Sequence, residues 1–251
     1  MAKIALVTGG SRGLGKDMAL SLAAKGIDVI VTYHSRKDDA DAVVAAIRGV
    51  GRKAEAMQLD VADIAGLDGF MQRLKAVLKN TWNTGRLDFL INNAGTGAAI
   101  PIAQHTETTF DDFLNVHFKG VFFLTQKTLE MMNDQGGIVF ITAAGSRFVV
   151  PNYSVYAACK GAVEVFSRYV AFEYGKRGIR ANVVAPGGIE TDFNGGVIRN
   201  TPQLQQFLIT QTALGRVGLP EDIGGVVAFL CTDDARWVNG QRIEVTGGIH
   251  L

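Results

Sequence analysis

Residues 140 to 160 read FITAAGSRFVVPNYSVYAACK and end on a tyrosine and a lysine four positions apart, Tyr156 and Lys160. Four residues make about one helical turn, so within the helical pattern YSVYAACKGAVEVFSRYVAFEYG the two side chains share one face. A free phenol has a pKa of about 10, too high for ready proton exchange near neutrality. A lysine ammonium beside it favours the phenolate and brings that value down. Such a pair can run acid/base chemistry on a carbonyl: the phenol gives its proton to a developing oxyanion in reduction and recovers it in oxidation. The same two residues also suit a packing tyrosine and a snorkelling surface lysine, and the spacing alone does not choose between the readings.

The elements that must position the pair follow from hydrophobic patterning. Short β-rich runs, KIALVT (3 to 8), DVIVTY (28 to 33), KAEAMQLDV (53 to 61), LDFLINN (87 to 93), GIVFIT (137 to 142), RANVVAP (180 to 186) and QRIEVT (241 to 246), alternate with apolar residues at helical spacing. The strands are almost wholly apolar rather than alternating, as expected of strands covered on both faces. The spacing therefore predicts an α/β fold: a doubly wound, Rossmann-type parallel sheet of seven strands, with helices as right-handed crossovers on each side. Gly26, Gly51 and Gly178 follow helical segments where a left-handed C-cap is expected. No linker, repeat or low-complexity tract interrupts the 251 residues, so the whole chain, 1 to 251, is expected to form one catalytic domain. In such a fold ligands bind beyond the carboxyl ends of the strands.

The stretch TGGSRGLG, residues 8 to 15, directly follows the first strand and opens the first helix. Gly9 permits a tight turn, Gly13 lets backbone approach a pyrophosphate, and Gly15 lets helix pack on strand, with the helix N-terminus facing the anion. A glycine-rich turn alone is weak, but its place between strand and helix makes it a dinucleotide-binding signal. An acidic residue ending the second strand would bind a ribose 2′-hydroxyl and repel a 2′-phosphate. Here that strand ends in Tyr33, His34, Ser35 and Arg36, with no carboxylate before Asp38, and Arg12 inside the glycine loop adds a second guanidinium. NADP(H) is therefore expected over NAD(H), unless the two arginines are only solvated surface charges.

Charge and composition narrow the partners. Lys+Arg (25) and Asp+Glu (24) nearly cancel and no basic run occurs, so neither nucleic acid nor an anionic membrane is expected as a partner. The longest apolar runs, such as GVVAFLC, fall short of a membrane span. Between Met1 and the first strand there is no room for a secretion signal, and a soluble cytoplasmic protein is expected. Cys159 and Cys231 read as small core residues, and the four histidines show no metal-ligand spacing, so no metal is expected.

Taken together, these motifs resemble the short-chain dehydrogenase/reductase family over nearly the whole chain, in particular 3-oxoacyl-[acyl-carrier-protein] reductase-like members. The family's T-G-x-x-x-G-x-G turn matches Thr8 to Gly15, its N-N-A-G matches Asn92 to Gly95, its Tyr-x-x-x-Lys matches Tyr156 and Lys160, and its P-G-x-x-x-T matches Pro186 to Thr191. The resemblance implies a cofactor site built from Gly9, Ser11, Arg12, Gly13, Leu14 and Gly15, from Tyr33, His34, Ser35 and Arg36, and from Asp60 and Val61 near the adenine. Asn93, Ala94 and Gly95, Tyr156 and Lys160, and Pro186, Gly187, Ile189 and Thr191 near the nicotinamide would complete it. It further implies that Lys160 bonds the nicotinamide ribose and that Asn115, in FLNVHFKG, holds a water relaying protons to Lys160.

The chain departs from the family at one catalytic position. The serine that holds the substrate oxygen stands thirteen residues before the tyrosine, which here is Ala143. Thr142 would need a kink at the strand end to replace it, because neighbouring strand residues point to opposite faces. Ser146 would have to swing in from the loop hinged at Gly145. Otherwise Tyr156 alone contacts the oxygen. The expected substrate is a small-molecule carbonyl or alcohol, with Thr142, Ala143 and Phe148 against it; Phe148, Val149 and Val150 fit an apolar wall and equally a packed core. Residues 195 to 215 correspond to a substrate lid. A 3-oxoacyl thioester or related ketone heads the candidate substrates. The alternative is a nucleotide-binding regulatory protein with weakened catalysis. The family likeness also implies a homotetramer.

Overall fold

Residues 2–251 are described by the computed structural model. Each expected apolar run forms a strand: β1 Ile4–Val7, β2 Asp28–Tyr33, β3 Ala54–Gln58, β4 Leu87–Asn92, β5 Met132–Ile141, β6 Arg180–Pro186 and β7 Arg242–Val245. They build one sheet in the order β3-β2-β1-β4-β5-β6-β7, every neighbouring pair parallel. The central strands β1, β2, β4 and β6 are buried almost throughout, whereas the edge strands β3 and β7 are partly exposed. This burial on both faces accounts for the unbroken apolar runs.

Helices cover both sides. On one face α3 (Leu67–Trp82), α5 (Gly120–Leu129) and α6 (Ser154–Glu173) bury Phe70, Leu74, Leu124 and Val163 against the sheet. On the other, α1 (Gly13–Ala24), α2 (Lys37–Gly49) and α9 (Pro220–Leu230) contribute Met18, Leu22, Val43, Ile47 and Val227. A capping box at Thr106 starts α4 (Glu107–Leu114), which runs through a π-turn at Asn115–Lys119 directly into α5. Two short helices, α7 (Val197–Asn200) and α8 (Pro202–Gln211), follow β6.

Two strand boundaries differ from the sequence reading. β5 begins at Met132, earlier than the apolar run, because its ladder with β4 shifts register between Leu87 and Phe89, beside Gln135 at φ 63°. β3 stops at Gln58 because the chain turns, with the Ala62 amide donating to Asp60 at 2.9 Å. Gly26, Gly51 and Gly178 all have the left-handed φ expected of them.

Candidate active site

The sheet order reverses between β1 and β4, so the turns that follow these strands open a crevice at the carboxyl edge. Thr8 joins the two turns. Its hydroxyl accepts from the backbone amides of Asn93 and Ala94, both at 2.9 Å, and the Asn93 side chain donates to the Thr8 carbonyl at 2.8 Å. Gly15 must lack a side chain, since a Cβ there would lie 2.1 Å from the Gly9 carbonyl oxygen. Gly13, at φ 53°, instead faces Thr191: an added Cβ would meet only that side chain, at 3.7 Å. The glycine turn and the Pro186–Thr191 segment thus stand side by side at the carboxyl edge of the sheet, where the first turn of α1 begins.

The same edge carries cations. Arg12 sits 3.7 Å from Asp192, and Arg36 pairs with Asp39; all four side chains are substantially exposed. Exposed pairs of this kind are weak, about 0–1 kcal/mol, so both guanidiniums can turn to another anion. Ser35 lies between Arg36 and His34, and His34 stands 3.6 Å from Asp60. His34, Ser35 and Arg36 therefore fit a phosphate at the end of β2, where the first carboxylate along the chain is Asp38, while Arg12 faces Asp192, next to Thr191.

Tyr156 and Lys160 meet at the start of α6, beneath the end of β5. Lys160 is buried, and its Nζ donates to the Ile141 carbonyl at 2.9 Å and lies 5.6 Å from the centroid of the Tyr156 ring. Burial lowers the Lys160 pKa to about 8. Tyr156 keeps part of its surface open to the cleft, yet the crowding of its ring, with the neighbouring Tyr153 phenol adding to it, pushes its pKa well above the usual phenol value. The sequence reading had Lys160 bringing that value down. In the protein alone desolvation dominates instead, and Tyr156 is a protonated donor at neutral pH.

Neither candidate hydroxyl is free to replace the serine. Thr142, buried at the end of β5, has its hydroxyl taken up by Glu164 at 3.1 Å, about two turns along α6 from Tyr156. Side-chain alternation explains this: Thr142 and Ala143 leave the strand on opposite sides. The Ser146 hydroxyl donates to the Ala143 carbonyl at 2.7 Å and also to Glu164. Glu164 in turn pairs with Arg242 at 2.9 Å, and Arg242 reaches the Ala143 carbonyl at 3.3 Å. This network pins the loop after β5. Phe148 packs edge-on against His250, ring centroids 5.3 Å apart, with Val149 and Val150 exposed beside it.

The segment 107–129 departs from expectation in another way. Asn115 is half-buried and opens the π-turn, its carbonyl accepting from the Gly120 amide, and among the described residues its side chain makes no hydrogen bond to Lys160 or Tyr156. The residue of this turn that touches Tyr156 is His117, fully buried, with ring centroids 4.9 Å apart. Sequence reasoning noted His117 only for its lack of metal spacing; a lone histidine in an otherwise apolar helical stretch was the available signal. It also passed over Phe193, whose ring lies 6.1 Å from that of Tyr156 and fills the space that Gly97 leaves open, and Tyr153, 6.0 Å from Tyr156 and hydrogen-bonded through its hydroxyl to Asn194 at 2.6 Å. Three aromatic rings therefore frame the proton donor. Among the described residues no helix is long and apolar enough to cross a membrane, and no group of His, Cys, Asp or Glu is placed to hold a metal ion.

Comparison with known proteins finds oxidoreductases and reductases similar to this chain. A sequence-family profile described as enoyl-(acyl carrier protein) reductase matches residues 9–250. An uncharacterized oxidoreductase of Methylorubrum extorquens is 38% identical, the match covering 98% of this chain and 97% of that protein. A hydroxynaphthalene reductase-like protein of Metarhizium brunneum is 36% identical over 98% of this chain and 94% of its own length. Among solved structures, the angucycline C-6 ketoreductase LanV with bound NADP superposes with a TM-score of 0.93 at 33% identity, covering 98% of this chain and 95% of that one.

Proposed function

The chain belongs to the short-chain dehydrogenase/reductase family, an oxidoreductase family acting on the C=O/CH–OH couple, and from that premise we propose that it reduces a ketone with NADPH. The observation carrying this reading is Tyr156, held protonated by burial, in the crevice between the glycine turn and the Pro186–Thr191 segment, with Lys160 fixed behind it on the Ile141 carbonyl.

The cofactor, when bound, supplies a hydride to the carbonyl carbon. The glycine turn of Gly9, Gly13 and Gly15 with the first amides of α1 would hold its pyrophosphate, and Arg12, Ser35 and Arg36 would take the 2′-phosphate, a reading supported by the NADP bound to the similar ketoreductase. Asp60 and Val61, Asn93 to Gly95, and Pro186 to Thr191 line the remainder. Tyr156 donates its proton to the developing oxyanion; a phenol with a raised pKa is in the correct form for that step and the wrong one for abstracting a proton from an alcohol. Lys160, charged below its lowered pKa, offsets the negative charge that forms on Tyr156.

For the substrate, Tyr153 and Phe193 make the approach to Tyr156 aromatic, which favours a planar, largely apolar ketone over an open-chain 3-oxoacyl thioester. The hydroxynaphthalene and angucycline reductases that the chain is similar to support the same choice. Residues 195–215, holding α7 and α8, act as the lid, and Asn194 just before them donates to the Tyr153 hydroxyl. A homotetramer fits the exposed Val165, Tyr169 and Phe172 along α6. NADPH oxidation with a bicyclic aromatic ketone and with an acetoacetyl thioester, each repeated with NADH, tests the reading. NADPH turnover with the aromatic ketone preferred is expected; tight NADPH binding with no turnover of any ketone would instead favour the regulatory alternative that Ala143 motivates.

A further inference from the structure

His117 is a buried ionisable side chain in contact with Tyr156 that the reading above leaves without a role. Its ring is fully buried, and neither ring nitrogen has a partner in good hydrogen-bond geometry among the described residues, although the Thr96 backbone faces the ring. A neutral imidazole carries one N–H and one lone pair, and leaving both unmet in the interior costs about 1–3 kcal/mol per group, so such groups normally find a partner. The ring is held in place on three sides. It stacks on Phe113 with centroids 5.7 Å apart and planes at 22°. It meets Tyr156 edge-on. It also lies across Gly95, where an added Cβ would come within 2.9 Å of Cε1.

Lys160 is the charged group that acts on the ring. Its ammonium carries three donors, and only one is met, by the Ile141 carbonyl. The two unsatisfied groups are near enough for the charge on Lys160 to act on the imidazole. Burial first, and then that charge, lowers the His117 pKa to about 2, with the Thr96 backbone opposing weakly, so His117 is an acceptor and not a second cation.

We propose that His117 is a positioning residue of the acid/base pair: its neutral imidazole accepts a hydrogen bond relayed from the Lys160 ammonium through one buried water, and so holds the charge in place behind Tyr156. The π-turn at Asn115–Lys119 sets its side chain there, where Asn115 was expected to act. Around Lys160 the other facing groups are Tyr156 and Cys159 on its own helix and the Ile141 carbonyl from β5. His117, in turn, faces Phe113, the Gly95–Thr96 backbone, Tyr156 and Lys160.

The kinetic half of the test rests on the reductase reading; the spectroscopic half does not. In the kinetic half, His117→Phe removes the acceptor and is expected to lower kcat about tenfold with little change in KM, and to move the alkaline limb of kcat/KM for NADPH down by about one pH unit. His117→Asn, whose amide carbonyl can accept, is expected to restore the limb. A folded His117→Phe protein with an unmoved limb overturns the proposal. In the spectroscopic half, ring-15N spectra of histidine-labelled, cofactor-free protein are expected to show His117 as one neutral tautomer at pH 7, with an acceptor nitrogen whose shift changes in Lys160→Met. An acceptor nitrogen indifferent to Lys160→Met overturns the proposal even if His117→Phe does not fold. A wild-type protein that reduces no ketone would sink the reductase reading while leaving the spectroscopic answer standing.

Discussion

The imidazole of His117 stands edge-on to the phenol ring of Tyr156, centroids 4.9 Å apart and planes at 82°. Nothing protonatable could be added at this contact without cost, because the ring is fully buried and already shares the interior with the Lys160 ammonium. The pKa of His117 falls from 6.5 to about 2 on folding. Below pH 6.5 the unfolded chain therefore binds a proton that the folded chain refuses, and stability must fall as the pH drops.

The expected slope from this residue alone is about 1.4 kcal/mol per pH unit below pH 6.5. Urea unfolding at pH 7, 6 and 5 reads it directly. His117→Asn should be less stable than wild type at pH 7 yet lose less stability on acidification. Parallel acid losses in the two proteins would show that His117 is not kept neutral by the fold.

Lys160 predicts an opposite pair of trends on the alkaline side. Its pKa drops from 10.5 to about 8, so between those values the unfolded chain holds a proton that the folded chain has lost. Lys160 thus contributes a gain in stability as pH rises through that window, while the ammonium needed beside Tyr156 disappears. The kcat/KM for NADPH, which reports the free enzyme, should decline above about pH 8. Tyr156, with its pKa raised, contributes no limb in the same range. A rate flat to pH 9.5 would contradict the assignment.

Ala143 offers a gain-of-function test. Thr142 and Ser146 are both committed to Glu164, so neither hydroxyl is free to take the serine's place beside Tyr156. A single donor to a developing oxyanion is worth about 100-fold to 1,000-fold in turnover. Ala143→Ser should recover part of that, raising kcat by about tenfold or more on an aromatic ketone with KM for NADPH unchanged. Equal or lower turnover would mean that another group already fills the role.

Much of this was legible before any coordinates, for a physical reason. Parallel strands buried on both faces write themselves as continuous apolar runs, and the glycines of the first turn are required by contacts as close as the one Gly15 makes with Gly9. Backbone constraints of that kind leave a residue-level signature. The role of His117 was not legible, because a π-turn shifts which side chains of one helix face the site, and nothing in FLNVHFKG announces the extra residue in that turn. The aromatic frame escaped for a different reason: Phe193 reaches Tyr156 from a segment far along the chain, through the space left at Gly97, and such three-way packing has no local spacing. The fate of Thr142 lay between these cases. Strand alternation turned it away from Ala143's side, but its partner Glu164 emerged only with the helix in place.

The cofactor preference rests on two guanidiniums that could have been solvated surface charges. Arg36 follows β2 and Arg12 lies in the glycine turn, each in an exposed pair, with Asp39 and Asp192 respectively. Those pairs are too weak to hold them against a dianionic phosphate, whereas a charge-assisted hydrogen bond to that phosphate is worth about 1.5–3 kcal/mol. Arg12→Ala and Arg36→Ala should each raise KM for NADPH by about 10-fold to 100-fold, leave KM for NADH within about twofold and leave kcat nearly unchanged, because the phosphate lies far from the reacting atoms. The double variant should use the two cofactors about equally. Added salt should raise KM for NADPH more in wild type than in the double variant, since the lost contact is the screened one. If both single variants kept the wild-type preference, the 2′-phosphate would have to be held by Ser35 and backbone amides alone, and the arginines would be the surface charges they first resembled.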